Sequence, residues 1–175
     1  DEYREKFLFP IKTFYESVGF DFSKEPFEIT NEEFHSGFEK NFKKLALQPD
    51  ALSTIKKLKK KGITQSILSA TIQRKLNNQV KYFGLDSFLD NIVGLSNTPS
   101  GFGKEYEGKE LLLNVLIPSE ETIIVGDSML DYNVSQSLNI SCALIYNGHN
   151  NMERLAETGS KTFPNIRSFY DWITN

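Results

Sequence analysis

The segment Ile123-Ile124-Val125-Gly126-Asp127-Ser128-Met129-Leu130-Asp131 decides the fold class of this chain. A short apolar run that stops at a glycine is typical of a buried parallel strand, and the glycine lets the backbone turn sharply where that strand ends. If a helix opens at Ser128 or just after it, Asp127 and Asp131 point the same way, because residues four apart share a helix face. Carboxylates at the carboxyl end of a parallel strand lie where open α/β sheets bind ligands, and two of them suit Mg²⁺.

Composition describes a globular protein and limits the kinds of partner. Of the 175 residues, 39% are hydrophobic and 25% charged, so the chain can bury a core and is not expected to be disordered. The net charge of −3 argues against a polyanion binder. We expect the lysine-rich run at 56–61 to be the solvated face of an amphipathic helix rather than a nucleic-acid patch. Without a signal-peptide pattern or a membrane-length apolar run, the expected location is the cytoplasm, with no membrane partner.

Hydrophobic spacing divides the chain near residue 48. Residues 1–48 favour helices, and Thr30 with Glu33 resembles a capping box, which predicts a helix with Thr30 as its N-cap. From Pro49 onward helical and strand-like segments alternate, and the predicted strands lie at 63–69, 92–95, 123–125 and 141–146. This alternation predicts an α/β fold with a Rossmann-like parallel sheet and helices on both faces. The predicted architecture is a core at 49–175 preceded by a small helical module at 1–48.

Two further polar groups are candidates for a functional site. Ser69 ends the strand predicted at 63–69, and a hydroxyl beside the free N–H groups of a helix N-terminus can bind an anion. The simpler interpretation is that Ser69 or Thr71 only caps the next helix. Lys104 precedes a later helix, where a lysine is usually exposed unless its surroundings give it a role. His149 has no partner at metal-ligand spacing and is predicted to be a surface or hydrogen-bonded histidine.

The order of these groups along the chain resembles the haloacid dehalogenase superfamily of phosphohydrolases, in its phosphoglycolate-phosphatase-like branch. The resemblance rests on Ser69-Ala70 after a strand, Lys104 before a later helix, and Gly126-Asp127-Ser128 followed by Asp131. It covers essentially the whole chain, and further matching segments are Tyr3–Phe7, Gly19–Pro26 and Asn147–His149. It implies that residues 1–48 are part of a helical cap and that residues 49–175 are the core, with the second, third and fourth motifs of the family.

The resemblance implies a role for each matching residue. Ser69 and Ala70 would bind the transferred phosphoryl group, and Lys104 would be the family's catalytic lysine, which also binds substrate. Asp127 would bind the metal, and Asp131 would be a further ligand or an acceptor that supports the site. The implied activity is that of a Mg²⁺-dependent phosphatase, which hydrolyses a small phosphorylated metabolite through an aspartyl-phosphate intermediate.

One motif of the family is not in this sequence: Asp-x-Asp-Gly-Thr, at the end of the family's first strand. In the family its first aspartate is the nucleophile and its second is the general acid and base, and its strand lies between the strands that end at Ser69 and Asp127. Adjacent strands are about 4.8 Å apart, so loss of a central strand would leave a gap of about twice that width. We therefore expect an N-terminal segment that this sequence lacks. The alternatives are a strand from another chain or closure of the two flanking strands.

Two functional interpretations follow from this departure. In the first, the protein is a phosphatase whose nucleophile lies outside the sequence, and the 175 residues alone are expected to be inactive. In the second, it is a non-catalytic relative that serves as a binding or scaffold protein. Retention of Ser69, Lys104 and Asp127 argues against the second interpretation, because a binding protein has no need of all three.

Overall fold

The computed structural model describes residues 2–96 and 104–175. The strands all lie in the second part of the chain, and they are β1 (Ser66–Ile72), β2 (Asn91–Leu95), β3 (Ile123–Gly126), β4 (Ser141–Ile145) and β5 (Lys161–Phe163). Helices precede and separate them, and these are α1 (Glu2–Lys6), α2 (Ile11–Ser17), α3 (Phe27–Asn41), α4 (Ala51–Lys60), α5 (Gln73–Tyr82), α6 (Glu105–Val115), α7 (Met129–Leu138), α8 (Met152–Ala156) and α9 (Ile166–Ile173). Short 3-10 turns lie at Phe42–Lys44 and Ser119–Glu121.

Every strand pairing in the described residues is parallel, which confirms the predicted α/β class. β1 pairs with β2, placing Ile67 opposite Ile92, and β4 pairs with both β3 and β5. Helices connect successive strands along the chain, as parallel pairing requires. None of the helices in residues 2–96 and 104–175 is long and apolar enough to cross a membrane.

The strands form two separate sheets rather than one. One sheet has the order β1-β2 and the other β3-β4-β5, so among the described residues β1 pairs only with β2, and β3 only with β4. The family resemblance implied that these two strands, β1 and β3, would flank a central strand that residues 1–175 do not supply. The alternative in which they close up and pair with each other is not the arrangement found.

A cavity of about 470 Å³ lies between the two sheets, and we call it the inter-sheet slot. Its walls include Ile67 and Leu68 of β1, residues 123–125 of β3, and residues of α4, α6, α7 and α9. The slot-lining residues of β1 and β3 are exposed or only partly buried, whereas Ala143 and Leu144 of β4 are 0% exposed. The slot therefore leaves apolar strand surface uncovered in the middle of the fold.

One apolar cluster holds the two sheets side by side despite the slot. It consists of Leu130, Val134 and Leu138 on α7, and both Leu68 of β1 and Ile124 of β3 pack against it. Burial of such side chains stabilises a fold by about 1.5–3 kcal/mol each. The relative position of β1 and β3 is thus fixed by packing on α7, without hydrogen bonds between the strands.

The predicted N-cap at Thr30 is wrong. Helix α3 begins at Phe27, directly after Pro26, and Thr30 lies within its first turns. The backbone of Pro26 is not helical, with φ −56° and ψ 136°, so the helix begins at the residue that follows it. The Phe27 ring packs edge-on against Phe22 and beside Tyr15. The helix therefore begins before Thr30, at Phe27, whose ring is packed against its aromatic neighbours, and not at the capping pattern of Thr30 with Glu33.

The strand predicted at 63–69 is also misplaced. β1 runs from Ser66 to Ile72, and its register with β2 shifts between Leu68 and Ile72. The extra residues form an irregular segment, in which the Ser69 hydroxyl oxygen accepts a hydrogen bond from the Thr71 N–H at 3.1 Å. The β-branched residues Thr71 and Ile72 favour continued extension past the polar residue that was expected to end the strand. The division into a cap at 1–48 and a core at 49–175 stays a prediction.

Candidate active site

The turn between β3 and α7 places the two predicted carboxylates. Ser128 is the N-cap of α7, and Asp131 reaches back over the turn in a capping box. Its Oδ2 accepts hydrogen bonds from the main-chain N–H groups of Asp127 and Ser128, both at 3.1 Å, and from the Ser128 hydroxyl at 2.7 Å. Asp131 therefore fixes the conformation of the turn that carries Asp127.

Lys104 joins this turn to the other sheet. It is 8% exposed, and its Nζ donates to Asp131 Oδ1 at 2.8 Å and to the Leu68 carbonyl of β1 at 2.9 Å. Burial opposes ionisation of Asp131, but the ammonium of Lys104 and its hydrogen bond, with further bonds from Ser128 and the Asp127 N–H, outweigh it and lower the pKa of Asp131. The result is a buried ion pair that bridges the turn after β3 and Leu68 of β1, where the regular pairing of β1 with β2 stops.

Asp127 is held from the loop that follows β4. Its Oδ2 accepts the main-chain N–H of His149 at 2.8 Å, and its carbonyl accepts the N–H of Asn150 at 3.1 Å. Gly148 makes this close approach possible, since a Cβ there would lie 1.9 Å from Asp127 Oδ2. Gly126 likewise leaves room for the side chain of Asp131, because a Cβ at Gly126 would lie 2.1 Å from Asp131 Cγ.

The two carboxylates differ in what they can offer to a cation. Both oxygens of Asp131 already accept hydrogen bonds from protein groups, whereas Asp127 accepts one at Oδ2 from the described residues. Residues 2–96 and 104–175 contain no group of three or more His, Cys, Asp or Glu placed to hold a metal. Mg²⁺ does not require such a group, because it is usually held by one or two carboxylates together with water and substrate phosphate. Asp127, in the space left by Gly148, fits that role, and Asp131 fits the role of support.

Ser69 and Ala70 lie in the irregular part of β1. Ser69 is partly buried and Ala70 is exposed, and α5 begins only at Gln73, so neither residue lies at the helix N-terminus that the sequence suggested. Ser69 directly follows Leu68, whose carbonyl accepts the Lys104 ammonium. The structure thus brings Lys104, Asp131 and Asp127 into one network of contacts, and it places Ser69 next to that network along the chain.

Sequence reasoning missed what the loop after β4 does for the site. His149 is exposed, as predicted, but its main-chain N–H holds Asp127, and neighbouring Asn150 is completely buried. The family resemblance included Asn147–His149 but implied no role for it. The structure shows why the loop lies there: it follows β4, which pairs with β3, so both strands end at the same edge of the sheet. Which strands are neighbours is a tertiary property, and the sequence did not show it.

Solved structures share this fold at low sequence identity. A "predicted phosphatase" from Clostridium acetobutylicum superposes with a TM-score of 0.79 at 19% identity, covering 95% of this chain and 77% of the other. A haloacid dehalogenase-like family hydrolase from Streptococcus pneumoniae gives a TM-score of 0.71 at 17% identity, with 93% and 80% covered. These similarities establish the fold.

Sequence comparison adds the family. A curated relative, "Putative pyrophosphatase PpaX" of Caldanaerobacter subterraneus subsp. tengcongensis, is 27% identical over 117 residues. The match covers 63% of this chain and 50% of the relative, so the chain spans about half the length of that protein. The family model described as haloacid dehalogenase-like hydrolase matches residues 1–145, and the chain therefore belongs to this family of hydrolases.

Proposed function

We propose that this chain is part of a Mg²⁺-dependent phosphatase that hydrolyses a small phosphomonoester metabolite. The observation that carries the proposal is the network of Lys104, Asp131 and Asp127, which joins Leu68 of β1 to the turn after β3 beside the inter-sheet slot. A buried ammonium and a carboxylate suited to a hard cation are the groups that phosphoryl transfer uses, because its catalysis is mainly positioning and neutralisation of charge.

Each residue of the network has a part in the proposed reaction. The ammonium of Lys104 has three N–H donors, of which two point to Asp131 and Leu68, so the third can bind a phosphoryl oxygen. Ser69 and Ala70 would bind the same group from β1. Asp127 would hold Mg²⁺, which supplies further positive charge opposite the phosphoryl oxygens when it is bound. Asp131 would orient both Lys104 and the turn that carries Asp127.

The nucleophile of the proposed reaction is an aspartate that the sequence of residues 1–175 does not contribute. We propose that it lies at the end of a strand that fills the inter-sheet slot and pairs with β1 and β3. Its carboxylate would attack phosphorus, and the bond from phosphorus to the alcohol oxygen would break, with the second aspartate of the Asp-x-Asp pair giving its proton to the departing oxygen. That second aspartate would then take a proton from water, which would hydrolyse the aspartyl-phosphate to inorganic phosphate and the free carboxylate. The slot supports this proposal, as does the greater length of the curated relative. The helical cap at 1–48 would shield the site and contact the leaving group.

The test uses the gene product with any in-frame residues encoded upstream of residue 1. Phosphate release from a panel of small phosphomonoesters is measured with and without Mg²⁺, for the parent and for Asp127→Asn, with the exposed Asp86→Asn as the matched control. Loss of charge stabilisation worth several kcal/mol predicts a decrease of about 100-fold or more in Asp127→Asn and no change in the control. Undiminished turnover in Asp127→Asn would refute the assigned role.

The same experiment separates the enzyme from a non-catalytic relative. An Asp-x-Asp pair encoded upstream, together with Mg²⁺-dependent turnover, supports the phosphatase. An upstream region without such a pair, and a product without turnover, would favour a binding or scaffold protein. Residues 1–175 alone are expected to show no turnover, and turnover by that purified polypeptide would contradict the external nucleophile.

A further inference from the structure

Helix α1 depends on the loop after β4 for its own stability. It has five residues, and a helix this short is not stable by itself in water. The carbonyls of Arg4 and Phe7 accept hydrogen bonds from the Asn150 amide at 3.2 and 3.0 Å, and those of Glu5 and Phe7 accept the Arg154 guanidinium at 2.7 Å each. Side chains of that loop and of α8 thus satisfy carbonyls at the end of α1 that the helix cannot satisfy itself.

Asn150 makes equally specific contacts with the acidic turn. Its side chain is 0% exposed, and its Oδ1 accepts the N–H of Met129 at the start of α7 at 3.0 Å. Its own main-chain N–H donates to the Asp127 carbonyl at 3.1 Å. A single buried amide therefore contacts α1 through its nitrogen and the turn after Asp127 through its oxygen.

His149 provides a second connection between the same two elements. Its ring stacks on Phe7 with centroids 4.3 Å apart and an interplanar angle of 11°, and its Nδ1 lies 2.6 Å from the Tyr3 hydroxyl. Burial, together with the nearby charge of Asp127, raises the pKa of Tyr3. Which of the two groups donates in this hydrogen bond depends on the tautomer of the imidazole. The main-chain N–H of the same histidine holds Asp127 Oδ2.

We propose that Tyr3, Asn150 and Arg154 are positioning residues that couple the docking of α1 to cation binding by Asp127. This inference rests on the proposed role of Asp127. Docked α1 fixes the loop at 146–151 and the start of α8, and the fixed loop holds the Asp127 carboxylate in one orientation before the cation arrives. Because coupling between two binding events is reciprocal, the cation must in turn stabilise the docked α1.

The experiment measures Mn²⁺ binding and α1 docking separately in the gene product with any in-frame residues encoded upstream of residue 1. Binding of Mn²⁺, used as a paramagnetic substitute for Mg²⁺, is followed by the loss of the free-ion signal in electron paramagnetic resonance. The variants are Tyr3→Phe, Arg154→Ala and Asn150→Ala. Lys6→Ala is the matched control, since Lys6 is on the same helix but pairs with Glu2. Circular dichroism checks folding, and the first two variants suffice if Asn150→Ala does not fold.

Loss of groups that orient a metal ligand typically weakens metal binding by about tenfold or more, and we expect a weakening of that order in Tyr3→Phe and Arg154→Ala, with Lys6→Ala unchanged. In the parent, Mn²⁺ should also slow hydrogen exchange at the amides of residues 3–8. Equal Mn²⁺ affinity in all variants would overturn the coupling and leave the role of Asp127 intact. Failure of the parent to bind Mn²⁺ would overturn both that role and the coupling.

Discussion

At the scale of single residues, the buried pair of Lys104 and Asp131 is the most consequential contact of the site. Removing one partner of a buried ion pair leaves an unpaired charge, which typically costs about 3–5 kcal/mol. We expect Lys104→Met to lower the free energy of unfolding by about that amount, measured in urea. The double variant Lys104→Met with Asp131→Asn should recover part of the loss, because it leaves no buried charge. A double variant less stable than Lys104→Met would contradict this account.

The same pair predicts how stability changes with pH. The pKa of Asp131 is lowered in the folded protein below the ordinary value of 3.8, while the unfolded chain keeps the ordinary value. The unfolded state therefore binds its proton first as the pH falls, so the stabilisation is present above that value and is lost as the pH falls through the folded pKa. We expect Asp131→Asn to have a flatter decline in its urea midpoint below pH 4 than the parent. Parallel declines would contradict the prediction.

Gly148 is the residue at which the space around Asp127 can be tested. A Cβ there would lie 1.9 Å from Asp127 Oδ2, so the carboxylate or the loop must move in Gly148→Ala. We expect weaker Mn²⁺ binding by about tenfold or more, with a smaller effect on stability than on binding. Gly37→Ala on α3 is the control, because a Cβ there meets no atom within 4 Å, and it should bind Mn²⁺ like the parent. Unchanged affinity in Gly148→Ala would show that the carboxylate has room to move.

At the scale of elements, hydrophobic spacing predicted which segments are helices and strands better than where they begin. The strands predicted at 92–95, 123–125 and 141–146 lie within a residue of where they were expected. The predicted start of α3 and the predicted limits of β1 were wrong. Phe27 packs on Phe22, which precedes the helix and is not part of the capping pattern, and the register shift after Leu68 depends on β2, which is distant along the chain. Local patterns describe local energies, and element boundaries depend on contacts made elsewhere.

The main chain in the irregular part of β1 lies in close contact with Gly94 of β2, and this contact can be tested. A Cβ at Gly94 would lie 2.5 Å from the Thr71 carbonyl oxygen, a main-chain atom that cannot rotate away. We expect Gly94→Ala to lower the free energy of unfolding by about 1–3 kcal/mol, as overpacking typically does. Gly37→Ala should instead stabilise the protein by about 0.5–1 kcal/mol, since alanine favours a helix interior. Urea unfolding measures both, and a neutral Gly94→Ala would contradict the tight contact.

At the scale of the whole molecule, the inter-sheet slot predicts an uneven pattern of protection. Strand β4 has paired neighbours on both sides, whereas β1 and β3 have one each among the described residues. In residues 1–175 we expect amides of β1 and β3 to exchange hydrogen faster than those of Ala143 and Leu144, as measured by NMR. A longer gene product with a strand in the slot should show slow exchange in all three strands. Equal protection in residues 1–175 would indicate that the slot closes in solution.

The sequence by itself determined the α/β class, the order of most elements and Asp127 with Asp131 as a candidate pair, because apolar periodicity and the strand-glycine-aspartate pattern are local. Lys104 joined that pair only through the family resemblance. Only the tertiary structure decided that Lys104 pairs with Asp131, that the loop at 146–151 holds Asp127, and that β1 and β3 stay apart. Those facts depend on which strands are neighbours and on packing against α7. Which strands become neighbours depends on how the whole chain buries its apolar surface, and no short segment of sequence contains that information.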